Sequence, residues 1–511
     1  MQLLQCLHGG ADRASPAPQR RSGLGLAAAA ALGLALAAGA AEAAPPPLSF
    51  ADLAAKVSPA VVNISSSHVV TGRRGGMPGL PFEFPPGSPF EEFFKKFRDQ
   101  QQQQKGEGDA PSKEKVTALG SGFILDPTGY VVTNNHVVDQ ATDIQVTLTT
   151  GEQYAAKLIG TDPKTDLALL KISADKPLPA VGFGDSDATR VGDWVMAVGN
   201  PFGLGGSVTV GVISARGRDI HSGPFDDFLQ VDASINQGNS GGPTFNMDGQ
   251  VIGINTAIAT PNGGSVGIGF AIPSNMARPV IDQLRAHGTV ERGWLGVQIQ
   301  KVTPEIASAV GLKSAAGALV AEVQPNSPAS RAKVKQGDII LGFNGKEVAE
   351  MRDLPRLVAA VKAGTTVDLT VWRNRGRETL SVEIGKLKEE QQASASDNGD
   401  QGGAGGAVVG HVSKLLGAKL ASLTPKTRQQ FNIADDIQGV LVTDVDADGP
   451  AADQGLRPGD VIQEVGQAKV DAPKDVDNAT QAAREAKQPA VLILVNRGGD
   501  QIFVAIKLGQ A

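Results

Sequence analysis

The chain repeats itself, and the repeat limits what it can fold into. Val323-Gln324-Pro325-Asn326-Ser327-Pro328-Ala329 leads to Gly337-Asp338-Ile339-Ile340, and Val445-Asp446-Ala447-Asp448-Gly449-Pro450-Ala451 leads with the same spacing to Gly459-Asp460-Val461-Ile462. Two copies of one domain therefore follow each other in the C-terminal half. At 511 residues the chain has room for about one further unit before them. The expected layout is a leader over 1–43, a first domain over 48–288, one repeat over 290–386, a charged and then Ser/Gly/Ala-rich linker over 387–408, and the second repeat over 409–511.

The leader reads as an export signal. Arg20 and Arg21 precede an uncharged Ala/Leu/Gly stretch from Leu24 to Ala40, and Ala41-Glu42-Ala43 forms a small-x-small cleavage site. The stretch is short for a spanning helix, so removal is favoured over retention as an anchor. The residues after the arginine pair fit a twin-arginine signal poorly. The single cysteine, Cys6, lies inside this leader, so the mature product has no disulfide, thiolate metal site or cysteine nucleophile.

Within the first domain, short apolar runs alternate with turn residues: Gly122–Leu125, Tyr130–Thr133, Ile144–Leu148, Leu167–Ile172, Trp194–Gly199, Val208–Ser214 and Val251–Ile254. This pattern predicts an all-β sandwich or barrel pair. A helix is expected from 49 to 57, and another over 274–287, capped by Ser274 and ended at Gly288. Residues 71–115 contain Gly-Gly, Pro-Pro, six phenylalanines and a glutamine run, and read as a long loop whose aromatics dock on something.

The chemistry is signalled by Gly238-Asn239-Ser240-Gly241-Gly242-Pro243. Glycines flanking a serine permit the tight backbone that projects a hydroxyl beside converging N–H groups, although a glycine-rich turn alone is ordinary in such a chain. Thr133-Asn134-Asn135-His136-Val137-Val138 places a histidine at the end of an apolar strand, and Asp166 opens the buried run Leu167-Ala168-Leu169-Leu170. The histidine or the aspartate alone is more often structural than catalytic. Together they supply a nucleophile, its base and the acceptor that orients the base, in the order His, Asp, Ser. The net charge of −6 gives no reason to expect nucleic-acid binding. No Walker loop suggests use of ATP, and no cluster has metal-ligand spacing, so no cofactor is expected.

TNNHVV, DLALL and GNSGGP, with the Asn200-Pro201-Phe202-Gly203 turn, the loop insertion and the tandem repeat, resemble the HtrA/Deg family of trypsin-like serine proteases. The two-repeat layout is similar to its bacterial periplasmic branch. The resemblance implies a mostly β protein: a trypsin-like double β-barrel followed by two α+β PDZ domains. It implies that Ser240 attacks the scissile carbonyl, His136 shuttles the proton and Asp166 orients His136. The oxyanion hole would be the N–H groups of Gly238 and Ser240, with Asn239 between them. Asn255-Thr256-Ala257-Ile258 would pair with substrate backbone and Ile235 would floor the specificity pocket. With no acid at Ser234 or Ile235, a small aliphatic P1 such as Val or Ala is expected. Trp294-Leu295-Gly296-Val297 would be the carboxylate loop of the first PDZ domain, and Leu415-Leu416-Gly417-Ala418 a weaker counterpart in the second. Arg218 is a candidate relay in a sensor loop over 216–228.

Digestive relatives carry an acid before the serine to capture a newly cut N-terminus. Here that position is Asn239, so activity should depend on loop ordering over 216–228, 259–267 and 71–115. The implied partners are unfolded or misfolded proteins, C-terminal peptides, further copies of the chain in a homotrimer or larger assembly, and peripherally a membrane surface. A rival reading is a holding protein with a latent protease domain. The complete triad makes chaperone-like holding secondary. A third is a signalling protease with one membrane-bound target.

Overall fold

The computed structural model describes residues 49–70, 114–201, 206–236, 238–260, 264–387 and 411–508. The expected leader, nearly all of the 71–115 insertion and all but the first residue of the 387–408 linker lie outside the described residues.

The first domain opens with α1 (Ala51–Val57) and a single turn to Ala60. Its first barrel contains β1 (Val61–Val70), β2 (Glu114–Asp126), β3 (Tyr130–Thr133), the one-turn helix α2 (Asn135–Val138), β4 (Asp143–Thr147), β5 (Gln153–Asp162) and β6 (Leu167–Ile172). The strands close in the order β1-β2-β3-β6-β5-β4. A second closed barrel is built from β7 (Trp194–Gly199), β8 (Ser207–Arg218), β9 (Phe228–Val231), β10 (Pro243–Phe245), β11 (Val251–Ile258) and β12 (Gly269–Pro273), in the order β10-β11-β12-β9-β8-β7. Closure removes exposed sheet edges, and every pairing is antiparallel.

Period-2 alternation explains how β6 serves two cores. Ala168 and Leu170 point into the first barrel with Val131 and Ile172. Leu167 and Leu169 point the other way, into a seam with Phe123, Met196, Phe245, Ile254 and Ile272. Helix α3 (Ser274–His287) seals that seam with Ala277, Val280, Ile281 and Leu284, which recur at helical spacing. It ends as expected at Gly288, whose φ of +73° lets its N–H return to Leu284 O. The expected N-cap is different. Pro273 occupies that position, and the buried Ser274 hydroxyl donates instead to Gly184 O at 2.9 Å. Packing against the 183–186 turn wins over local capping.

The first repeat comprises β13 (Gly293–Trp294), β14 (Val297–Lys301), α4 (Pro304–Ala309), β15 (Ala318–Val323), α5 (Pro328–Arg331), β16 (Ile339–Phe343), β17 (Lys346–Glu347), α6 (Asp353–Ala359), β18 (Thr366–Arg373), β19 (Gly376–Glu383) and β20 (Gly385–Lys386). The second comprises β21 (His411–Ser413), β22 (Ala418–Ser422), α7 (Pro425–Phe431), β23 (Val440–Val445), α8 (Pro450–Asp453), β24 (Val461–Val465), β25 (Ala468–Lys469), α9 (Pro473–Glu485), β26 (Ala490–Arg497) and β27 (Asp500–Lys507). Each has its own apolar core. The repeated Gly-Asp pair has one job in both. Arg373 chelates buried Asp338, and Arg497 chelates buried Asp460, across the same strand pair.

Replacing Phe245, which is fully buried in the seam, by Ala should destabilise the first domain by about 3–5 kcal/mol. Urea unfolding in a Ser240→Ala background checks this. The first-domain transition should move to lower denaturant while those of the repeats stay put.

Candidate active site

Asp166 follows a tight turn, Pro163–Thr165, and takes a left-handed backbone (φ +54°) that aspartate tolerates better than most residues. That geometry turns both ends of the residue toward α2. Its carbonyl accepts from Asn135 N–H (3.0 Å) and Asn134 Nδ2 (2.9 Å). Its carboxylate accepts from His136 N–H (3.0 Å), lies 2.7 Å from His136 Nδ1, and accepts Thr256 Oγ1 at 2.6 Å. An ionised carboxylate only accepts, so the proton shared with His136 sits on Nδ1. His136 and Asp166 side chains are 15% and 26% exposed, so the pair is shielded yet reachable.

Ser240 comes from the second barrel. Gly238 (φ +90°) and Gly241 (φ +83°) shape its loop. A Cβ on Gly241 would fall 2.2 Å from Ser121 O and 2.3 Å from Thr133 Oγ1. This presses the serine loop onto the strand end that leads to His136. Ser121 rivets the two: its N–H donates to Ser240 O (2.8 Å) and its hydroxyl to Gly238 O (2.5 Å). Asn239 is buried and neutral, packed so closely on Gly199 that a Cβ there would meet its Oδ1 at 2.2 Å.

The proposed pocket residues lie beside this loop. Ile235 is buried, and a Cβ on Gly269 would approach its Cγ1 to 2.7 Å. Of the stretch expected to pair with substrate, Asn255 is already engaged. Asn255 N–H donates to Gly242 O (2.9 Å) and its carbonyl accepts Gly241 N–H (2.8 Å), which commits its backbone to the nucleophile loop. β10 stops pairing at Ile254, so the stretch left to an extended chain is Thr256 to Ile258.

Arg218 Nε donates to Gln230 Oε1 at 2.8 Å, within the same barrel. The neighbouring Gly217 carbonyl accepts Arg352 Nη1 (2.6 Å), and Asp227 pairs with Arg356, both from the first repeat. Between them, loop 219–227 closes on Asp226, whose carboxylate accepts Ile220 N–H (3.0 Å), Ser222 N–H (2.9 Å) and Ser222 Oγ (2.7 Å). Burial raises the Asp226 carboxyl above the usual range, these donors oppose the shift, and nearby Asp219 adds to it. Phe225, Asp226 and Phe228 line a cleft with His136, Asp166 and Thr256.

Two contacts carry no sequence signal. One is Thr256 as the third donor to Asp166; the other is the buried ion pair of Arg292 with Asp162 (Nη1 to Oδ1 2.9 Å). Arg292 also lies 4.9 Å from the Phe225 ring centre, and Asp162 accepts the hydroxyl of Thr165, beside Asp166. Neither pairing has local spacing that would flag it.

In the first repeat Gly296 (φ +79°) bends the Trp294–Val297 loop, Leu295 anchors it in the core, and β14 is the edge of its sheet. In the second, Leu416 and Ala418 are likewise buried and Gly417 takes φ +68°, while Leu415 precedes them.

Residues 120–254 match the trypsin-like peptidase domain family, and residues 293–384 and 415–508 match the PDZ domain family. The chain is 46% identical to a probable periplasmic serine endoprotease DegP-like of Brucella suis, over 91% of each chain. It is 42% identical to the protein of the same name in Rhizobium meliloti, over 91% of this chain and 93% of that one. Among solved structures it is similar to the HtrA-type protease AlgW with decapeptide: 38% identity, TM-score 0.53, covering 67% of this chain and 99% of that one.

Two outcomes are expected. Thr256→Val removes one donor to a charged acceptor, worth about 1.5–3 kcal/mol. Peptidase kcat/KM should then fall roughly tenfold to a hundredfold. Asp226 is pushed up in the ordered loop, so that loop binds a proton more tightly than the open one. Order should therefore be favoured as pH falls through the raised pKa and weaken as pH rises. Limited proteolysis of loop 219–227 in Ser240→Ala chains should be faster at pH 8 than at pH 5, and Asp226→Asn should flatten the difference.

Proposed function

We propose, from the premise that this chain belongs to the DegP-like family of HtrA-type serine endoproteases, that it is a periplasmic enzyme that degrades unfolded envelope proteins without ATP. One observation carries the reading: the Asp166 carboxylate, held by His136 N–H, His136 Nδ1 and Thr256 Oγ1, fixes the imidazole, and the Ser240 loop packs on the strand end that leads to His136.

In this reading Ser240 Oγ attacks the scissile carbonyl as His136 Nε2 takes its proton, and Asp166 stabilises the imidazolium. The N–H groups of Gly238 and Ser240 receive the oxyanion, each donor lowering the barrier by roughly 3–4 kcal/mol. His136 then protonates the leaving amine, and water repeats the sequence on the acyl-enzyme. The substrate lies extended along Thr256–Ile258, since strand addition requires unpaired backbone. That requirement selects unfolded chains and makes an unfolding motor unnecessary. The P1 side chain meets Ile235 and Gly269, which favours Val or Ala. The first PDZ domain recruits apolar C-termini on β14. A cleaved export signal delivers the enzyme, copies assemble as a homotrimer or larger, and holding of unfolded chains is a secondary activity.

The test is digestion of unfolded casein by residues 44–511. Cleavage after Val and Ala is expected, with none from Ser240→Ala. Ile235→Ala should enlarge the pocket and shift product ends toward Leu and Met. Unchanged cleavage by Ser240→Ala, or cuts after Lys and Arg, would overturn the reading.

A further inference from the structure

The two repeats share one loop and treat it differently. In both, a buried leucine is followed by a positive-φ glycine, Leu295-Gly296 and Leu416-Gly417. In both, the leucine carbonyl accepts from the start of the following short helix: Ala329 N–H to Leu295 O (2.9 Å), Ala451 N–H to Leu416 O (3.0 Å). In both, the glycine carbonyl accepts from the next turn: Gln324 N–H to Gly296 O (3.0 Å), Asp446 N–H to Gly417 O (2.8 Å). The backbones are therefore equivalent, and each could present a nest of N–H groups beside the first sheet strand.

What precedes the loop differs. In the first repeat Gly293-Trp294 pairs with Gly385-Lys386, and β14 stays the free edge of its sheet. In the second, β21 crosses over and pairs antiparallel with β22, in the register His411↔Leu420, Val412↔Lys419 and Ser413↔Ala418. It is thereby the outermost strand of that sheet. An incoming peptide would have to add at this edge, antiparallel, its last residue at the start of β22. Ser413 holds that last position, and its carbonyl accepts Gly417 N–H at 2.9 Å, the type of donor a terminal carboxylate would take. The strand is also fastened to α9: Ser413 Oγ donates to Asp477 Oδ1 and His411 Nε2 meets Asp477 Oδ2, each at 2.5 Å.

We propose that the second PDZ domain carries its own chain as a built-in ligand: residues His411–Ser413 fill its peptide groove, with the Ser413 carbonyl in the carboxylate nest. The inference rests on the reading that these domains bind peptide C-termini. It adds that only the first does so in the resting chain, and that the second takes a peptide only after β21 has been displaced.

The test counts sites. Ser240→Ala chains, residues 44–511, are titrated by calorimetry with a decapeptide pool ending in Val, Leu or Phe. One site per chain is expected, rising to two in Asp477→Ala and in His411→Ala/Ser413→Ala. Two sites in the parent would overturn the proposal. So would a single site in release variants whose β22 amides exchange freely with solvent. The strand itself is tested separately by Val412→Cys/Lys419→Cys, which with Cys6 absent from this fragment makes the only pair of thiols. Oxidation should close a disulfide and hold the count at one even with Asp477→Ala. Failure to cross-link would refute the strand placement. No binding to any variant, with cross-linking intact, would instead refute the peptide-recruiting reading and leave the filled groove standing.

Discussion

Everything in the first domain depends on the apolar seam between the barrels. His136 and Asp166 belong to the first barrel, Ser240 and Thr256 to the second, and no covalent feature other than the chain itself holds the two in register. Phe123, Leu167 and Leu169 meet Met196, Phe245 and Ile254 across that seam, all fully buried. Each such side chain contributes about 1.5–3 kcal/mol on burial, so the seam as a whole outweighs the single Thr256–Asp166 hydrogen bond that crosses the same boundary. Packing fixes the separation of the barrels, and hydrogen bonding then aims the groups. The adjacency is literal in the sequence: Asp166 is followed by Leu167, so the residue that anchors the seam also positions the carboxylate.

The parts of this arrangement legible in the sequence were those written in local patterns. Short apolar runs bounded by turn residues, such as Tyr130–Thr133, Leu167–Ile172 and Trp194–Gly199, fell where expected as strands. So did the helix ending at Gly288, because a positive-φ terminus leaves glycine as its mark. What could not be read was any role decided by a distant partner. Thr256 looked like one more strand residue; a bulge in β11 between Asn255 and Ala257 turns its hydroxyl onto Asp166. Asn255 looked available to substrate until the fold spent its backbone on Gly241 and Gly242. Ser274 looked like a helix cap because local rules could not see Gly184. Arg292 read as one charge among many, though it is the least exposed cation of the joint between domains.

That joint links the repeats to the chemistry through short steps. Arg292 stands immediately before β13, and its guanidinium is committed to Asp162 at the end of β5, four residues from Asp166. The same guanidinium lies near Phe225, in the loop whose two flanks are gripped by Arg352 and Arg356 of the first repeat. Asp226 and Asp227 in this loop are both raised by burial, and Asp227 is held in check by Arg356. Asp226 keeps three donors from its own loop and Asp227 keeps Arg356, so closure of this loop draws on contacts from within it and from the first repeat alike.

The divergence of the two repeats follows from one side chain more than from the shared motif. In the first, the Trp294 ring lies against Gly385 and over Gly296; a Cβ on either glycine would approach the indole to 3.1 Å or 2.8 Å. That stacking holds β13 on β20 and leaves β14 open. At the matching place the second repeat has Leu415, which offers no plane to stack on a glycine. The segment before it is free to follow hydrogen bonds instead, and Asp477 supplies two of them from α9. An exposed strand edge with unpaired N–H and C=O groups attracts any strand within reach. A linker that ends beside such an edge reaches it at high effective concentration, so a peptide competing for β22 works against a tethered rival, whereas one binding β14 does not.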